Sequence, residues 1–179
     1  GLTCKIKRFL IIVKNMKIRE LQIEDAKQFL KVLNTLDAET SFLSREKGER
    51  KTTVNQLKED IQKGISNGIL NYVVENKGVL AGYVWGNPSK IIRKKHCMYI
   101  AIAILQEYTG KGYGKKLMQT LEKQAIQSGI TRFELTVMSH NKIAVNLYKK
   151  MGYSIEGNIK NSMFIDNEFI DEYSMAKII

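Results

Sequence analysis

The sequence predicts a single α/β domain on a mixed central sheet, with an antiparallel N-terminal half, a parallel βαβ centre and flanking helices. One observation is an almost continuous apolar run at 97–105, which is typical of a strand covered on both faces. A glycine turn, an amphipathic helix and a second strand at 131–137 follow, and this order forms a βαβ unit with parallel strands. The other observation is a pair of β-type runs, 69–75 and 79–86, joined by Asn76-Lys77-Gly78 as in a hairpin.

The first elements follow from the spacing of their apolar residues. Residues 17–22 alternate apolar and polar side chains, which predicts a strand. A helix is predicted to start at Asp25, and a second helix covers 53–65 after a charged loop at 38–51. The first helix places its apolar residues on one face, namely Ala26, Phe29, Leu30, Leu33 and Leu36.

Glycine and proline mark the ends of the later elements. Asn87-Pro88 is expected to end the second strand of the hairpin. Gly129 ends the helix that follows the glycine turn, and another helix runs from Asn141 to Gly152. Two further strands complete the predicted sheet, at 153–155 and 169–177.

One domain of this kind accounts for the length. A chain of 179 residues fits a single domain, which buries about two-thirds of its unfolded surface and needs no metal or disulfide to fold. Residues 1–15 hold four basic and no acidic side chains before Met16. We therefore expect residues 1–15 to be a tag remnant or a non-native extension, and residues 16–179 to be the domain.

The net charge narrows the class of partner. The chain holds 29 Lys and Arg against 18 Asp and Glu, a formal net charge of +11, which favours an anionic partner. Cys4 and Cys97 lie far apart and only two histidines are present, so we expect neither a disulfide framework nor a metal site. No apolar run approaches the roughly 18 residues of a membrane helix. These features predict a cytoplasmic protein without a membrane partner.

The glycine turn after the apolar strand carries the strongest chemical signal. Gly110, Gly112 and Gly114 alternate where a strand meets a helix, and main-chain N–H groups at such a junction attract anions. The turn predicts a pyrophosphate cradle, but its spacing fits neither the dinucleotide-binding GxGxxG pattern nor the P-loop pattern. It also lacks the GxxG loop of KH domains, and no nucleic-acid partner is expected. Three lysines add positive charge around the turn, namely Lys111, Lys115 and Lys116.

The same residues resemble a known family. The run Ile104–Gly114, followed by an amphipathic helix, resembles the acetyl-CoA motif Q/R-x-x-G-x-G/A of the GNAT superfamily of N-acetyltransferases. Gly112 and Gly114 match the motif, while Thr109 stands where the family has Gln or Arg. The region 137–153 resembles the second conserved region of the family. The tail 171–175 resembles members that acetylate amino acids or protein N-termini.

The resemblance implies a site between two splayed parallel strands, with acetyl-CoA as co-substrate and no metal. It makes Tyr148 the general acid that protonates the departing CoA thiolate, since a phenol with a pKa near 10 stays protonated at pH 7. Strand 97–105 contains no carboxylate, and Glu134 is one candidate base acting through water, alongside Glu75 and His96. The implied contacts with the cofactor are Ile102, Ala103, Ile104, Thr109, Gly110, Lys111, Gly112, Tyr113, Gly114, Lys115, Asn141, Ala144 and Tyr148.

The predicted function is acetyl transfer to a primary amine by direct attack in a ternary complex. An α-amine with a pKa near 8 is about a tenth neutral at pH 7, so the missing base favours a small-molecule or peptide α-amine. Two alternatives stay open: a non-catalytic acyl-CoA-binding sensor, and acetylation of a polyamine or aminoglycoside, for which the sequence shows no acidic cluster. The expected partners are acetyl-CoA and the acceptor, and the resemblance also allows a homodimer.

Overall fold

The computed structural model describes residues 16–179, which form one seven-stranded sheet with helices on both faces. The expectation for residues 1–15 lies outside this range. The helices are α1 (Ala26–Glu39), α2 (Val54–Ser66), α3 (Tyr113–Gln127) and α4 (Lys142–Lys150). The strands are β1 (Met16–Glu20), β2 (Leu70–Asn76), β3 (Val79–Pro88), β4 (Cys97–Ile104), β5 (Arg132–Met138), β6 (Ser154–Ile165) and β7 (Glu168–Ile178).

The topology confirms the predicted mixed sheet. Its strand order is β1-β2-β3-β4-β5-β7-β6. β1 to β4 are antiparallel neighbours, β4 and β5 are parallel, and β7 returns antiparallel to both β5 and β6. The βαβ crossover through α3 therefore lies at the centre of the sheet, as the strand–turn–helix–strand order predicts.

The sheet is packed on both faces by separate apolar clusters. One cluster joins β2 to β5 with α3 and α4, and its fully buried members include Leu117, Leu121 and Phe133. The other joins β2 and β3 with α1 and α2, where Phe29 and Leu36 are buried. Each large buried apolar side chain contributes about 1.5–3 kcal/mol to folding. The two clusters therefore hold the central strands firmly between the helix layers.

The helix starts agree only in part with the sequence signals. Thr53, the first residue of the predicted second helix, caps α2, because its hydroxyl accepts the Gln56 N–H and the Gln56 side chain accepts the Thr53 N–H. Asp25 makes no cap hydrogen bond to α1. Its carboxylate instead binds the Gln22 N–H and the Arg19 guanidinium, so it stabilises the turn before the helix.

Two strands are longer than predicted. β3 continues through Asn87 and Pro88, which pair with β4. The pairing of β3 with β2 begins only at Gly86, so Pro88 lacks a neighbour on that edge and its missing N–H breaks no ladder bond there. β6 extends to Ile165 because its exposed residues pair with β7 in a hairpin, and an exposed strand shows little apolar alternation.

A buried ion pair connects α3 to the C-terminal strand. Glu122, on α3, is 5% exposed. Its carboxylate accepts hydrogen bonds from the Tyr153 hydroxyl at 2.9 Å and from Lys177 Nζ, on β7, at 2.6 Å. The pair therefore ties the crossover helix to the far half of the sheet.

Candidate active site

The two parallel strands separate soon after they pair. β4 and β5 share three residue pairs, of which Tyr99↔Glu134 is the last. From Ile100 to Ile104, β4 pairs with β3 along one edge, and no strand within residues 16–179 occupies its other edge. Main-chain groups on that edge are available to a ligand between the strands. Three residues that the sequence predicts to hold acetyl-CoA lie there, namely Ile102, Ala103 and Ile104.

A pair of hydroxyl groups bridges the two strands beside the point of separation. Tyr99 Oη lies 2.8 Å from Thr136 Oγ1, and the Trp85 ring contacts the Tyr99 ring edge-on at 6.5 Å between centroids. This bridge could not be predicted from the sequence, because Tyr99 and Thr136 are 37 residues apart and neither belongs to a motif. Polar groups that can hold water therefore stand next to the gap.

The turn before α3 presents a run of free main-chain donors. Within the described part of the chain, the N–H groups of residues 110 to 115 donate to no protein acceptor. Gly110 and Gly112 have φ angles of +73° and +80°, which glycine adopts without strain. Six successive free donors at the N-terminus of a helix form an anion-binding arrangement.

The side chains around this turn fall into two groups: exposed lysines that add positive charge, and a threonine that bonds within the turn. Lys111 and Lys115 are exposed, and Lys111 Nζ lies 5.1 Å from the centroid of the Tyr108 ring. The Thr109 hydroxyl donates to the Gln106 carbonyl oxygen at 2.7 Å, so it closes the turn internally. The lysines are therefore the cations closest along the chain to the free donors.

Tyr113 differs from the other predicted cofactor contacts. Its side chain is 2% exposed, and its hydroxyl accepts a hydrogen bond from Asn76 Nδ2 at 3.2 Å. The ring also stacks on Tyr108, with the centroids 6.3 Å apart. The side chain therefore belongs to the core, and only the main-chain N–H of Tyr113 is available at the turn.

The starts of α3 and α4 meet beside the free end of β4. A Cβ atom on Gly114 would lie 3.5 Å from Leu147 Cδ2 and 3.8 Å from Ile102 Cδ1, which shows how closely the three elements approach. Asn141, at the predicted start of this helix, caps α4, because its Oδ1 accepts the Ala144 N–H at 3.3 Å. The glycine turn, the strand edge and the first turn of α4 are thus brought together.

Tyr148 lies on the buried face of α4. Its side chain is 8% exposed, and its ring lies 6.0 Å from the Tyr153 ring between centroids. Burial raises the pKa of Tyr148 to about 12, and the Tyr99 phenol adds to this rise. A phenol in this state keeps its proton at neutral pH and is suited to donate it.

The predicted base is engaged in an ion pair. Glu134 Oε1 accepts a hydrogen bond from Arg132 Nε at 2.7 Å, and Arg132 also binds Glu156. Glu134 stands opposite Tyr99 at the last parallel pair, so it borders the gap. Glu75 is likewise paired, with Arg19 at 2.8 Å. His96 precedes β4, at the end opposite to the glycine turn.

The described residues contain neither a metal-binding cluster nor a membrane-spanning helix. Residues 16–179 contain no group of three or more His, Cys, Asp or Glu side chains that could hold a metal ion. No helix in this range combines the length and apolar character needed to cross a bilayer.

The sequence is similar to known N-acetyltransferases. The sequence model of the acetyltransferase (GNAT) family matches residues 33–153, which is more than half of the chain. An uncharacterized N-acetyltransferase of Bacillus subtilis is 30% identical over 90 residues, covering 50% of this chain and 57% of that protein. An L-amino acid N-acetyltransferase of Escherichia coli is 28% identical over 112 residues, covering 62% of this chain and 69% of that protein.

The structural comparison covers nearly the whole described region. The crystal structure of an acetyltransferase of the GNAT family from Streptococcus pneumoniae superposes with a TM-score of 0.87 at 30% identity, covering 92% of this chain and 99% of that chain. These matches confirm the predicted fold and the predicted family of acetyl-CoA-dependent N-acetyltransferases. The chain belongs to the GNAT acetyltransferase family.

Proposed function

We propose that this protein transfers an acetyl group from acetyl-CoA to a primary amine of a small molecule, by direct attack of the amine in a ternary complex. The observation that carries the proposal is the run of free N–H donors at 110–115 beside the free edge of β4. A pyrophosphate suits those donors, and an amide-bearing chain suits a strand edge that lacks a partner. The Escherichia coli relative is named for L-amino acids, which are primary amines.

The predicted contacts other than Thr109 have distinct parts in this proposal. Main-chain N–H groups of Gly110 to Lys115 hold the phosphates, and the edge from Ile102 to Ile104 holds the pantetheine arm. Asn141 uses its oxygen as the α4 cap, and its amide NH2 makes no hydrogen bond within residues 16–179, so it can donate to the cofactor. Ala144 leaves room for that approach because it carries only a methyl group.

Tyr148 is the proposed general acid. The nitrogen lone pair of the acceptor forms a bond to the acetyl carbonyl carbon, and the carbon–sulfur bond breaks. The CoA sulfur leaves with the electron pair of that bond, and the Tyr148 hydroxyl donates a proton to this thiolate. The proton lost by the amine passes to water near the Tyr99–Thr136 bridge, with Glu134 as the neighbouring carboxylate.

Release of free thiol tests the proposal directly. Acetyl-CoA is incubated with the protein and a panel of amino acids, short peptides, diamines and aminoglycosides, and the acetylated product is identified by mass spectrometry. We expect thiol release that depends on the acceptor, with one acetyl group transferred to nitrogen. Tight binding of acetyl-CoA without thiol release for any acceptor would favour a sensor instead.

Gly112→Ala tests the phosphate cradle. The φ angle of +80° costs a residue with a Cβ atom about 1–2 kcal/mol, so the turn is expected to relax and to misalign its donors. We expect the Kd for acetyl-CoA to rise about tenfold, equivalent to ~1.4 kcal/mol, in isothermal titration calorimetry.

Gly48→Ala is the matched control for this variant. Gly48 has the same φ of +80° and equally open space around its Cα, but it lies in the loop between α1 and α2. We expect it to lose stability while its acetyl-CoA affinity stays unchanged. Equal affinity losses in both variants would show that the Gly112 effect is not local.

A further inference from the structure

A cavity lies on the sheet face covered by α1 and α2. Its volume is about 620 Å³, in the range of small-molecule sites, and its wall is mainly apolar, with Phe29, Leu57 and Ile61 among its members. Two exposed carboxylates, Glu20 and Asp60, also line it, and no Lys, Arg or His within residues 16–179 does. In a chain with a net charge of +11, this is a locally acidic cavity that attracts cations.

The cavity reaches the edge where β4 leaves β5. Asn71, Trp85 and Ala101 form a row across the sheet, because Asn71 pairs with Trp85 and Trp85 pairs with Ala101. All three residues line the cavity. Ala101 belongs to the part of β4 without a β5 partner, so this part of the cavity wall adjoins the strand edge from Ile102 to Ile104 that is proposed to hold the pantetheine arm.

Asn71 carries a polar atom that the protein does not satisfy. Its Oδ1 is buried and has no hydrogen-bond partner within the described residues. A buried acceptor left in this way costs about 1–3 kcal/mol. Rotation about the Cβ–Cγ bond exchanges the two ends of the amide, so the oxygen can turn toward an N–H donor held in the cavity.

Asp60 supplies the charge that such a donor needs. It lies on α2 in the turn between Leu57 and Ile61, both of which are buried and line the same cavity. Its side chain is exposed, and its carboxylate takes part in none of the salt bridges within residues 16–179. A cationic nitrogen can form an ion pair with the Asp60 carboxylate and donate a hydrogen bond to the Asn71 amide oxygen.

We propose that this cavity binds the acceptor and selects a primary amine whose short apolar chain ends in a second, cationic nitrogen. The proposal rests on the proposed function. The reacting amine lies at Ala101, and the second nitrogen lies near Asn71 and Asp60. Neighbouring strands are about 4.8 Å apart, so Asn71 is about 10 Å from Ala101, and a chain of about five carbons between two nitrogens covers most of that distance.

This arrangement separates acceptors by their second functional group. A carboxylate in place of the second nitrogen would meet two acids and no cation among the lining residues of 16–179, so it is disfavoured. A methyl group there would leave the Asn71 oxygen unsatisfied. Asn71 and Asp60 are therefore specificity-determining residues, and they are outside the acetyl-transfer chemistry itself.

Three acceptors of matched length test the selectivity. Cadaverine, pentylamine and δ-aminovalerate share a reactive primary amine and a five-carbon chain, and they differ at the far end. We expect kcat/KM for cadaverine to exceed that for pentylamine by about tenfold, with δ-aminovalerate lowest, and the difference to appear mainly in KM. Equal kcat/KM for the three acceptors would overturn the proposal.

Variants locate the effect at the named residues. Asn71→Leu and Asp60→Asn are each expected to reduce the preference for cadaverine to about twofold to threefold while keeping turnover of pentylamine. Glu59→Gln is the control, because it removes the same charge from the neighbouring position on α2 but does not line the cavity. A preference that persists in both cavity variants, or that disappears in the control, contradicts the assignment.

Binding without turnover keeps this proposal separate from the proposed function. Calorimetric titration of cadaverine and pentylamine into the protein does not require acetyl transfer. If no acceptor releases thiol, the proposed function fails, while tenfold tighter binding of cadaverine that Asn71→Leu abolishes still supports the cavity. If thiol is released but neither titration nor kinetics distinguishes the two amines, the cavity proposal alone fails.

Discussion

Tyr148→Phe is expected to lower kcat by about a hundredfold, the lower range for loss of a general acid. The substitution removes only the hydroxyl, and the ring keeps its packing on the buried face of α4. We therefore expect the Kd for acetyl-CoA and the unfolding midpoint to stay close to those of the wild type. Steady-state kinetics and calorimetry measure the two quantities separately.

Tyr153→Phe is the matched control. Its ring neighbours that of Tyr148, but its hydroxyl donates to Glu122 in the core. This variant is expected to lose about 1 kcal/mol of stability and to keep its kcat. An unchanged kcat in Tyr148→Phe, or equal losses in both variants, would remove Tyr148 from the chemistry.

The pH profile gives an independent measure of the same residue. A general acid works in its protonated form, and the pKa of Tyr148 near 12 keeps it protonated through pH 10. The attacking amine must instead be neutral, so kcat/KM is expected to rise with pH toward the pKa of the acceptor. A decline in kcat that begins below pH 10 and is absent from Tyr148→Phe would show that burial does not raise this pKa.

Lys177→Met is expected to destabilise the protein by about 3 kcal/mol. Glu122 is buried, and loss of the Lys177 ammonium leaves its carboxylate with only the Tyr153 hydroxyl. An unpaired buried charge costs far more than the ion pair itself contributes. Urea unfolding at neutral pH measures the free energy of unfolding.

The double variant Glu122→Gln with Lys177→Met tests whether the unpaired charge of Glu122 causes this loss of stability. It removes both charges and keeps a polar group for Tyr153, so it is expected to recover most of the lost stability. Glu156→Gln, which breaks the exposed pair with Arg132, is expected to change stability little. Equal losses in the single and double variants would assign the effect to packing of the Lys177 side chain.

Local signals predicted the elements and the anion site. The parallel pairing of β4 with β5 follows from a buried run, a glycine turn and a helix that are contiguous in the chain. The cap of α4 by Asn141 likewise depends on a contact only three residues away. The proposed roles of Gly112 and Tyr148 stay predictions, since their placement alone does not test them.

Contacts across the sheet could not be predicted in the same way. The sequence shows no acidic cluster, yet the fold brings Glu20 and Asp60 to one cavity from different elements. Asn71 looks like an ordinary polar residue of a half-exposed strand until Trp85 and Ala101 are placed beside it. Such juxtapositions depend on strand register, which a single sequence does not specify.

The three-pair junction between β4 and β5 has a consequence for the molecule as a whole. Beyond Tyr99, no main-chain pairing within residues 16–179 joins β4 to β5, so the N–H and C=O groups on that edge of β4 have no strand partner there. An occupant that bonds to this edge acts as a temporary eighth strand and completes the secondary structure. The same hydrogen bonds then serve both ligand affinity and the folded sheet, so we expect acetyl-CoA to raise the free energy of unfolding of the protein.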